Sequence, residues 1–448
     1  MNNSTIPMNE EKKKISANNW IIIWIAGLAG QLCWNIENQW FNSFVYAKIA
    51  PDSSIITWMV AVSAIVSTLS TFLSGTWSDR KGKRKPFIVV GYLMWGVTTI
   101  LFGLTEFLPL RNLWAIATMV VFADAVMSFF GSLGNDAGFN PWTTDISSKG
   151  NRGGLGAVIA VQPVIATIVG SVLGGFIIEK LDYIWFFSIM GAFVIFVGLY
   201  TMFKLKDAET LKPSIDEKGF WHQFGSAFNF KLLAKNKMLM LVLFIFSMFF
   251  ISFNIYFPHM TNYFIYSCGF EEGLAGVFLG VGLLIAVPFT FIAGKFINKG
   301  KFVPIIAIAV VGNIVGLIIM GFTNLSPNKS IGQIITIIVG VIFVGGGYMV
   351  VYQSLMIWCK NLYPETQRGQ LEGVRLFFYV CIPMVIGPAI ANPVIKNIGI
   401  PITMFYPTGA QSGFAPSTEL FFIAAAVALL TYVPLYFAHK QQKKEMSI

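Results

Sequence analysis

The sequence predicts an all-α membrane protein with twelve transmembrane helices in two pseudo-symmetric six-helix bundles. Composition is the first reason, because 55% of the 448 residues are hydrophobic and only 12% are charged, which excludes a set of soluble domains. Long apolar segments are the second reason, because about 20 helical residues cross a hydrocarbon core of ~30 Å. The third is an internal repeat that relates the two halves of the chain.

Twelve apolar segments are long enough to cross a membrane. We predict spans at residues 19–45, 54–77, 86–107, 113–139, 153–178, 183–204, 238–263, 273–297, 302–323, 332–358, 371–396 and 419–438. The long polar connector in the middle divides the chain into an N-terminal bundle (1–204), a cytoplasmic linker (205–237) and a C-terminal bundle (238–448).

Positive charge follows this topology. All but five of the 31 Lys and Arg residues lie in termini and loops that share one side, the pattern typical of cytoplasmic segments. We therefore expect a multi-pass protein of the cytoplasmic membrane with both termini cytoplasmic. The net charge of +10 is explained by topology, so the expected partner is the lipid bilayer and not nucleic acid.

Three matched segments carry the repeat. Residues 75–83 correspond to 294–301, residues 34–37 to 253–256, and residues 151–153 to 367–369. The first residues of the paired segments are 219, 219 and 216 positions apart. Transporters built from such repeats bind substrate at the interface between them. No phosphate loop, hydrolase motif or paired-cysteine pattern is present in the sequence, so we predict neither an enzyme, a cofactor, a disulfide nor a metal site.

The first span is the least lipid-like, because it carries a stripe of amides. At 100° per residue, five amide side chains fall within an arc of about 100°: Gln31, Asn35, Asn38, Gln39 and Asn42. Amides both donate and accept hydrogen bonds, which suits a hydroxyl-rich substrate. We predict that this stripe lines the substrate site; the alternative is helix-to-helix hydrogen bonding.

Three acidic residues in the spans are candidates for cation coupling, because buried charge is costly in a membrane. Glu37 lies about 160° from Asn35 on an ideal helix, and we consider three roles: a proton acceptor, a fixed partner of a neighbouring helix, or a residue turned inward by a local break. Asp124 and Asp136 share the fourth span. Asp136 is also a candidate helix cap.

The second half offers five candidate cavity residues: Asn254, Tyr256, Tyr348, Tyr352 and Gln353. His259 is expected to be a hydrogen-bonded residue at the interface; a role in proton transfer is the alternative. Charged residues of both signs lie at the cytoplasmic ends of four spans, where ion pairs that form and break between the halves would act as a gate. The candidate gate residues are Asp79, Arg80, Arg84, Arg152, Arg368, Glu372 and Arg375.

The turn between the second and third spans, Gly75-x-x-x-Asp79-Arg80-x-Gly82-Lys83-Arg84, resembles the loop between helices 2 and 3 of the major facilitator superfamily. Two further segments, 135–153 and 368–388, are similar to the glycoside-pentoside-hexuronide and sucrose/proton symporters. This narrower resemblance implies that Asp136 contacts sugar and helps to bind the coupling cation. The members of this group that bind sodium carry carboxylates in helix 2, whereas residues 54–77 contain none. We therefore favour a proton over sodium as the coupling ion.

We therefore predict a monomeric secondary transporter that moves a small hydroxylated solute, a mono- or disaccharide, by alternating access with proton symport. One rival is a transporter of the same fold that exports amphipathic or drug-like solutes. Another, of a different class, is a non-transporting membrane sensor. The sequence does not identify the solute.

Overall fold

The computed structural model describes residues 15–108, 112–147, 151–209, 211–215, 217–226, 236–363, 368–407 and 409–446. Within these ranges twelve helices are long and apolar enough to span a membrane, which confirms the predicted fold class. They are α1 (Ala17–Ile49), α2 (Ser53–Lys81), α3 (Lys85–Phe107), α4 (Leu113–Asp145), α5 (Gly154–Leu181), α6 (Tyr183–Lys204), α7 (Lys237–Ser267), α8 (Glu272–Ile297), α9 (Phe302–Leu325), α10 (Ile331–Asn361), α11 (Gly373–Ile398) and α12 (Glu419–Lys444).

The ends of these helices follow local capping rules. The Asp52 side chain accepts a hydrogen bond from the Ser54 N–H at the start of α2, and Ser330 caps α10 in the same way. Gly82 ends α2 in the left-handed conformation at φ 59°, which glycine adopts without steric cost. Gly75 lies within α2, and a Cβ added to it would meet no atom within 4 Å. Close packing at this turn therefore occurs at Gly82, where a Cβ would lie 2.6 Å from the Pro213 nitrogen, and not at Gly75.

Within the described ranges, four spanning helices contain π-helical turns. These are Glu37–Phe41 and Val45–Ile49 in α1, Ser132–Phe139 in α4, Tyr263–Ser267 in α7, and Phe377–Cys381 in α11. A π-turn inserts an extra residue and rotates all following side chains around the helix axis. Positions calculated for an ideal helix are therefore displaced beyond Glu37 and beyond Ser132.

Among the described residues, the most extensive contacts between the first six and last six helices are α1–α7, α2–α11 and α5–α8. We call the end of the molecule where α1 begins the terminal side and the opposite end the loop side. At the loop side α5 and α8 approach through glycines: a Cβ on Gly276 would lie 2.1 Å from the Ser171 carbonyl oxygen, and one on Gly175 would lie 2.4 Å from that of Glu272. The loop side is closed in this structure.

A two-stranded antiparallel hairpin joins α11 to α12 on the loop side. Its strands are β1 (Ile400–Tyr406) and β2 (Gly409–Ala415), with Thr403 opposite Ser412. The all-α prediction includes no strand here. A short helix, Phe220–Ser226, lies in the predicted linker and packs on α2. The boundaries of the linker stay a prediction, because residues 227–235 lie outside the described ranges.

Candidate functional site: a buried acid cluster and an aromatic wall

Glu37 lies in a hydrogen-bonded cluster between α1, α2 and α4. Its side chain is 6% exposed, and its Oε1 accepts hydrogen bonds from Ser63 Oγ at 2.5 Å and Ser128 Oγ at 2.8 Å. The two hydroxyl oxygens are themselves 2.8 Å apart. Glu37 begins the first π-turn of α1. It therefore lies at a local break in the helix and is also hydrogen-bonded to the two neighbouring helices.

Asp124 lies one helical turn before Ser128 in α4 and is 1% exposed. Its carboxyl group interacts electrostatically with Glu37. Glu37 Oε2 and Asp124 Oδ1 have no hydrogen-bond partner among the described residues, and neither acid has a Lys or Arg partner in that part of the chain. The structure therefore places Asp124 beside Glu37 without a compensating cation among the described residues.

Asp136 lies in the π-turn of α4 and is partly exposed. Its Oδ1 accepts hydrogen bonds from Asn135 Nδ2 at 2.9 Å and Asn140 Nδ2 at 3.4 Å. It also interacts electrostatically with Arg375, the gate candidate at the start of α11. Asp136 also interacts electrostatically with Glu37, so it lies between the buried acids of the first half and Arg375 of the second.

The Arg375 side chain is 9% exposed, so it is more buried than a side chain in a solvated loop. Its Nη1 contacts Met356 Sδ of α10 at 3.2 Å, and its guanidinium carbon lies 5.7 Å from the centre of the Tyr379 ring. Together with the interaction with Asp136, these contacts place Arg375 beside the space between the halves.

The amide stripe of α1 does not form one continuous surface, which corrects the prediction from ideal helix geometry. Asn35 faces α5, since a Cβ on Gly170 would lie 2.6 Å from Asn35 Oδ1, and Gln39 Oε1 accepts a hydrogen bond from Ser171 Oγ of α5 at 2.7 Å. Asn42 is buried, and its carbonyl oxygen accepts from Asn262 Nδ2 of α7 at 3.1 Å.

Gln31 and Asn38 remain partly exposed, with Trp34 between them on the same face. Asn38 donates to the Trp34 carbonyl oxygen at 2.7 Å, which leaves its amide oxygen available. The amide surface that can contact a solute is thus shorter than predicted.

Two predicted residues of α7 point into the second half and away from this face. Asn254 Nδ2 donates to the Phe250 carbonyl oxygen at 2.8 Å, and its Cβ would lie 2.5 Å from a Cβ on Gly387 of α11. Tyr256 is 1% exposed and contacts the Phe421 ring of α12. Asn254 and Tyr256 therefore pack between helices, the alternative role of such polar groups.

His259 of α7 also differs from expectation. It is completely buried and not interfacial, and neither ring nitrogen has a hydrogen-bond partner within the described ranges. The predicted hydrogen-bonded interfacial histidine is therefore wrong.

The second half contributes an aromatic wall from α7, α10 and α11. Its members are Phe250, Phe253, Tyr348, Tyr352 and Tyr379, and adjacent ring centres lie 4.7–6.3 Å apart. Tyr348, Tyr352 and the predicted Gln353 are partly exposed. Sequence reasoning missed Phe250, Phe253 and Tyr379, although the repeat matches Phe253 to Trp34.

Of the gate candidates at the α2–α3 turn, Arg84 joins helices of the first half. Its guanidinium contacts Asp79 Oδ1 at 2.6 Å and Asp145 Oδ2 at 3.0 Å. Burial lowers the pKa of Arg84, but the Asp79 and Asp145 carboxylates raise it more, so the group stays charged. Arg80 donates to Gln223 of the linker helix at 3.1 Å. The side chains of Arg152, Arg368 and Glu372 lie outside the described residues.

We expect Arg84→Ala to destabilise the protein by about 2–3 kcal/mol, because it removes both ion pairs and leaves the Asp145 carboxylate half-buried without its partner. Thermal unfolding in detergent measures this. Lys83→Ala is the matched control, since Lys83 is an exposed cation in the same turn. Equal unfolding temperatures for the two variants would show that the Arg84 pairs contribute nothing.

The sequence profile of the Major Facilitator Superfamily matches residues 16–388. No curated protein sequence matches the chain. The fold is similar to the crystal structure of a D-xylose-proton symporter, with a TM-score of 0.72, 11% identity and coverage of 93% of this chain and 97% of that one. It is also similar to the nucleoside transporter NupG, with a TM-score of 0.66, 14% identity and coverage of 94% and 98%. The chain is a multi-pass membrane transporter, not an enzyme, and belongs to the major facilitator superfamily.

Proposed function

We propose that this protein is a proton symporter of a small hydroxylated solute, a mono- or disaccharide. The observation that carries the proton coupling is the Glu37–Asp124 pair. Two ionised carboxylates buried together without a cation would be strongly destabilised. A single proton shared by the pair removes one of the two charges, so the cluster is suited to gaining and losing a proton during transport.

The solute site lies between the polar face of the first half and the aromatic wall of the second. Gln31, Asn38 and Asp136 supply donors and acceptors for hydroxyl groups, and Tyr348 and Tyr352 supply ring faces and phenol groups. Arg375 interacts with Asp136 across the halves, so a solute that contacts either residue would change how the halves are joined. Asn35, Asn42, Asn254 and Tyr256 are left to packing.

Transport proceeds by rocking of the two six-helix bundles around this site. We propose that residues 1–204 and 238–448 are these bundles, that the protein acts as a monomer, and that the terminal side is cytoplasmic because it carries most of the Lys and Arg residues. Asp79, Arg80, Arg152, Arg368 and Glu372 stay candidates for the gate on that side. The proton is preferred to sodium because α2 lacks carboxylates between residues 54 and 77.

One observation favours a second function, export of amphipathic solutes. Four rings of the wall are partly exposed, whereas only two amides of the predicted stripe, Gln31 and Asn38, are. An aromatic surface with few polar groups suits a flat apolar solute as well as a sugar ring. Against this, the similar structures are named for D-xylose and nucleosides.

The test is uptake into proteoliposomes of a labelled panel of mono- and disaccharides, with pH and sodium gradients imposed separately. Sugar accumulation driven by an inward proton gradient supports the proposal. Accumulation driven by sodium alone would contradict the coupling ion. No sugar movement under either gradient, with efflux of an amphipathic dye, would favour the second function.

Within that assay, Asn38→Ala is expected to raise the solute Kd about fivefold to tenfold, since one hydrogen bond contributes about 1 kcal/mol net. Asn35→Ala is the matched control, because it removes the same group from the face that contacts α5. Equal Kd values for the two variants would remove the amide of α1 from the solute site. Membrane abundance is measured for both.

A further inference from the structure

The hairpin between α11 and α12 has one face against the first half of the molecule. Along β1, Ile402, Met404 and Tyr406 are partly buried, while Thr403 and Phe405 are exposed. This alternation is the pattern of a strand that packs on one side. Ile402 packs on the hydrophobic core of the first six helices, although it belongs to the second half of the chain.

Three hydrogen bonds fix the hairpin to the end of α1 and the α1–α2 loop. Tyr406 Oη donates to the Tyr46 carbonyl oxygen at 2.5 Å, and Tyr46 Oη donates to the Phe414 carbonyl oxygen at 2.9 Å. The Phe414 N–H donates to the Pro51 carbonyl oxygen at 3.3 Å. The two tyrosines therefore exchange hydrogen bonds between the first and second halves in both directions.

Further polar contacts lie beside the hairpin. Ser53 Oγ donates to Asn392 Oδ1 of α11 at 2.7 Å, and Lys396 pairs with Asp52 at 3.4 Å. A cavity of about 230 Å³ separates parts of the hairpin from the α1–α2 loop. Directional bonds therefore join the hairpin to the first half together with the packing of Ile402 and a close approach at Gly413, where an added Cβ would lie 2.0 Å from the Pro51 carbonyl oxygen.

We propose that this hairpin is a strap that holds the loop side closed and sets the balance between the two access states. Every contact described above joins the second half to the first on the loop side. All must break when α1 and α7 separate there. The strap therefore favours the state in which the site opens to the terminal side, and its two tyrosines are positioning residues for the transport cycle.

This proposal rests on alternating access in the proposed function, but it can be tested without a known solute. Spin labels at Phe107→Cys and Leu325→Cys would report the separation of the halves, because both positions are well exposed at loop-side ends of α3 and α9. The labels are placed in a background without the native cysteines. Pulsed electron–electron double resonance then measures the distance distribution in nanodiscs.

Tyr406→Phe removes one donor from the strap and is expected to raise the ratio of open to closed loop side about twofold to tenfold, the effect of one hydrogen bond. Tyr46→Phe is expected to act in the same direction. Phe405→Ala is the matched control, since Phe405 is 86% exposed on the opposite face of the same strand. An unchanged distribution in both tyrosine variants would overturn the proposal.

A second variant tests the strap even if the tyrosine variants fold poorly. Pro51→Cys combined with Phe414→Cys places two thiols on main chains that are joined by a hydrogen bond, and a disulfide between them would lock the hairpin to the α1–α2 loop. Oxidation is expected to remove the open population, and reductant to restore it. If the open population persists when the disulfide has formed, the hairpin is not a strap. Absence of sugar uptake by the unmodified protein, with the expected change of distances in the tyrosine variants, would instead contradict the proposed function and leave the strap in place.

Discussion

Glu37→Gln is expected to abolish proton-driven accumulation of solute while solute exchange across the membrane continues. Glutamine keeps the size of the side chain and can still accept from Ser63 and Ser128, so the α1–α2–α4 contacts persist. It cannot gain or lose a proton. Transport then becomes independent of the pH gradient, and the accumulation ratio falls to about 1 because no driving force remains. Proteoliposome uptake and counterflow measure the two activities separately.

Asp124→Asn tests the same pair from the other side and is expected to give the same separation of accumulation from exchange. Glu106→Gln is the matched control, since Glu106 is also an acid of the first half but pairs with a cation, Lys48, at 3.4 Å. In this variant Lys48 still has its second partner, Asp182, at 2.5 Å. Retention of accumulation in Glu37→Gln would assign the proton to another group. In that case Asp136→Asn, which lies outside the pair, becomes the deciding variant.

The twelve helices could be predicted because each span is longer and more apolar than a soluble helix needs. The turn at Gly82 could also be predicted, because the chain has a positive φ there, which glycine adopts without steric cost. The acids were also found from sequence, because a carboxylate is rare in hydrocarbon whatever its orientation. These features depend on composition and local conformation, which a single sequence carries.

The direction of each side chain could not be predicted in the same way. The 100° rule failed for Asn35 because α5 covers it, and for Asn42 because α7 covers it and the π-turn that follows Ile36 displaces it. No residue type marks a π-turn in advance. The aromatic wall was missed for a related reason, since Phe250 and Tyr379 are ordinary residues of apolar spans until α7, α10 and α11 bring them together.

Repeat correspondence was the better guide to orientation. Trp34 and Phe253 occupy matched positions, and both are partly exposed aromatic residues on the faces assigned to the site. The neighbouring matched pair, Asn35 and Asn254, is buried in each half against a glycine, Gly170 in one and Gly387 in the other. A duplicated bundle repeats its packing, so the pair that packs and the pair that lines the site are distinguished by comparison of the halves.

Gly276→Ala is expected to reduce transport about fivefold or more by preventing full closure of the loop side. The added Cβ would lie 2.1 Å from the Ser171 carbonyl oxygen, whereas a carbon approaches such an oxygen to about 3.3 Å. Helices α5 and α8 would then have to separate by about 1 Å. Overpacking of this kind costs about 1–3 kcal/mol, which biases the two access states about 5- to 150-fold toward the open loop side.

Gly294→Ala is the matched control in the same helix, because its Cβ would meet only Gln353 Nε2 at 3.8 Å, an ordinary contact. Solute uptake, membrane abundance and the distance between labels at Phe107→Cys and Leu325→Cys are measured for both variants. Reduced uptake with a longer distance in Gly276→Ala alone would show that the α5–α8 crossing is part of the closure. Normal uptake would mean that the helices separate by about 1 Å at no cost, so that closure depends on the hairpin and on α1–α7 instead.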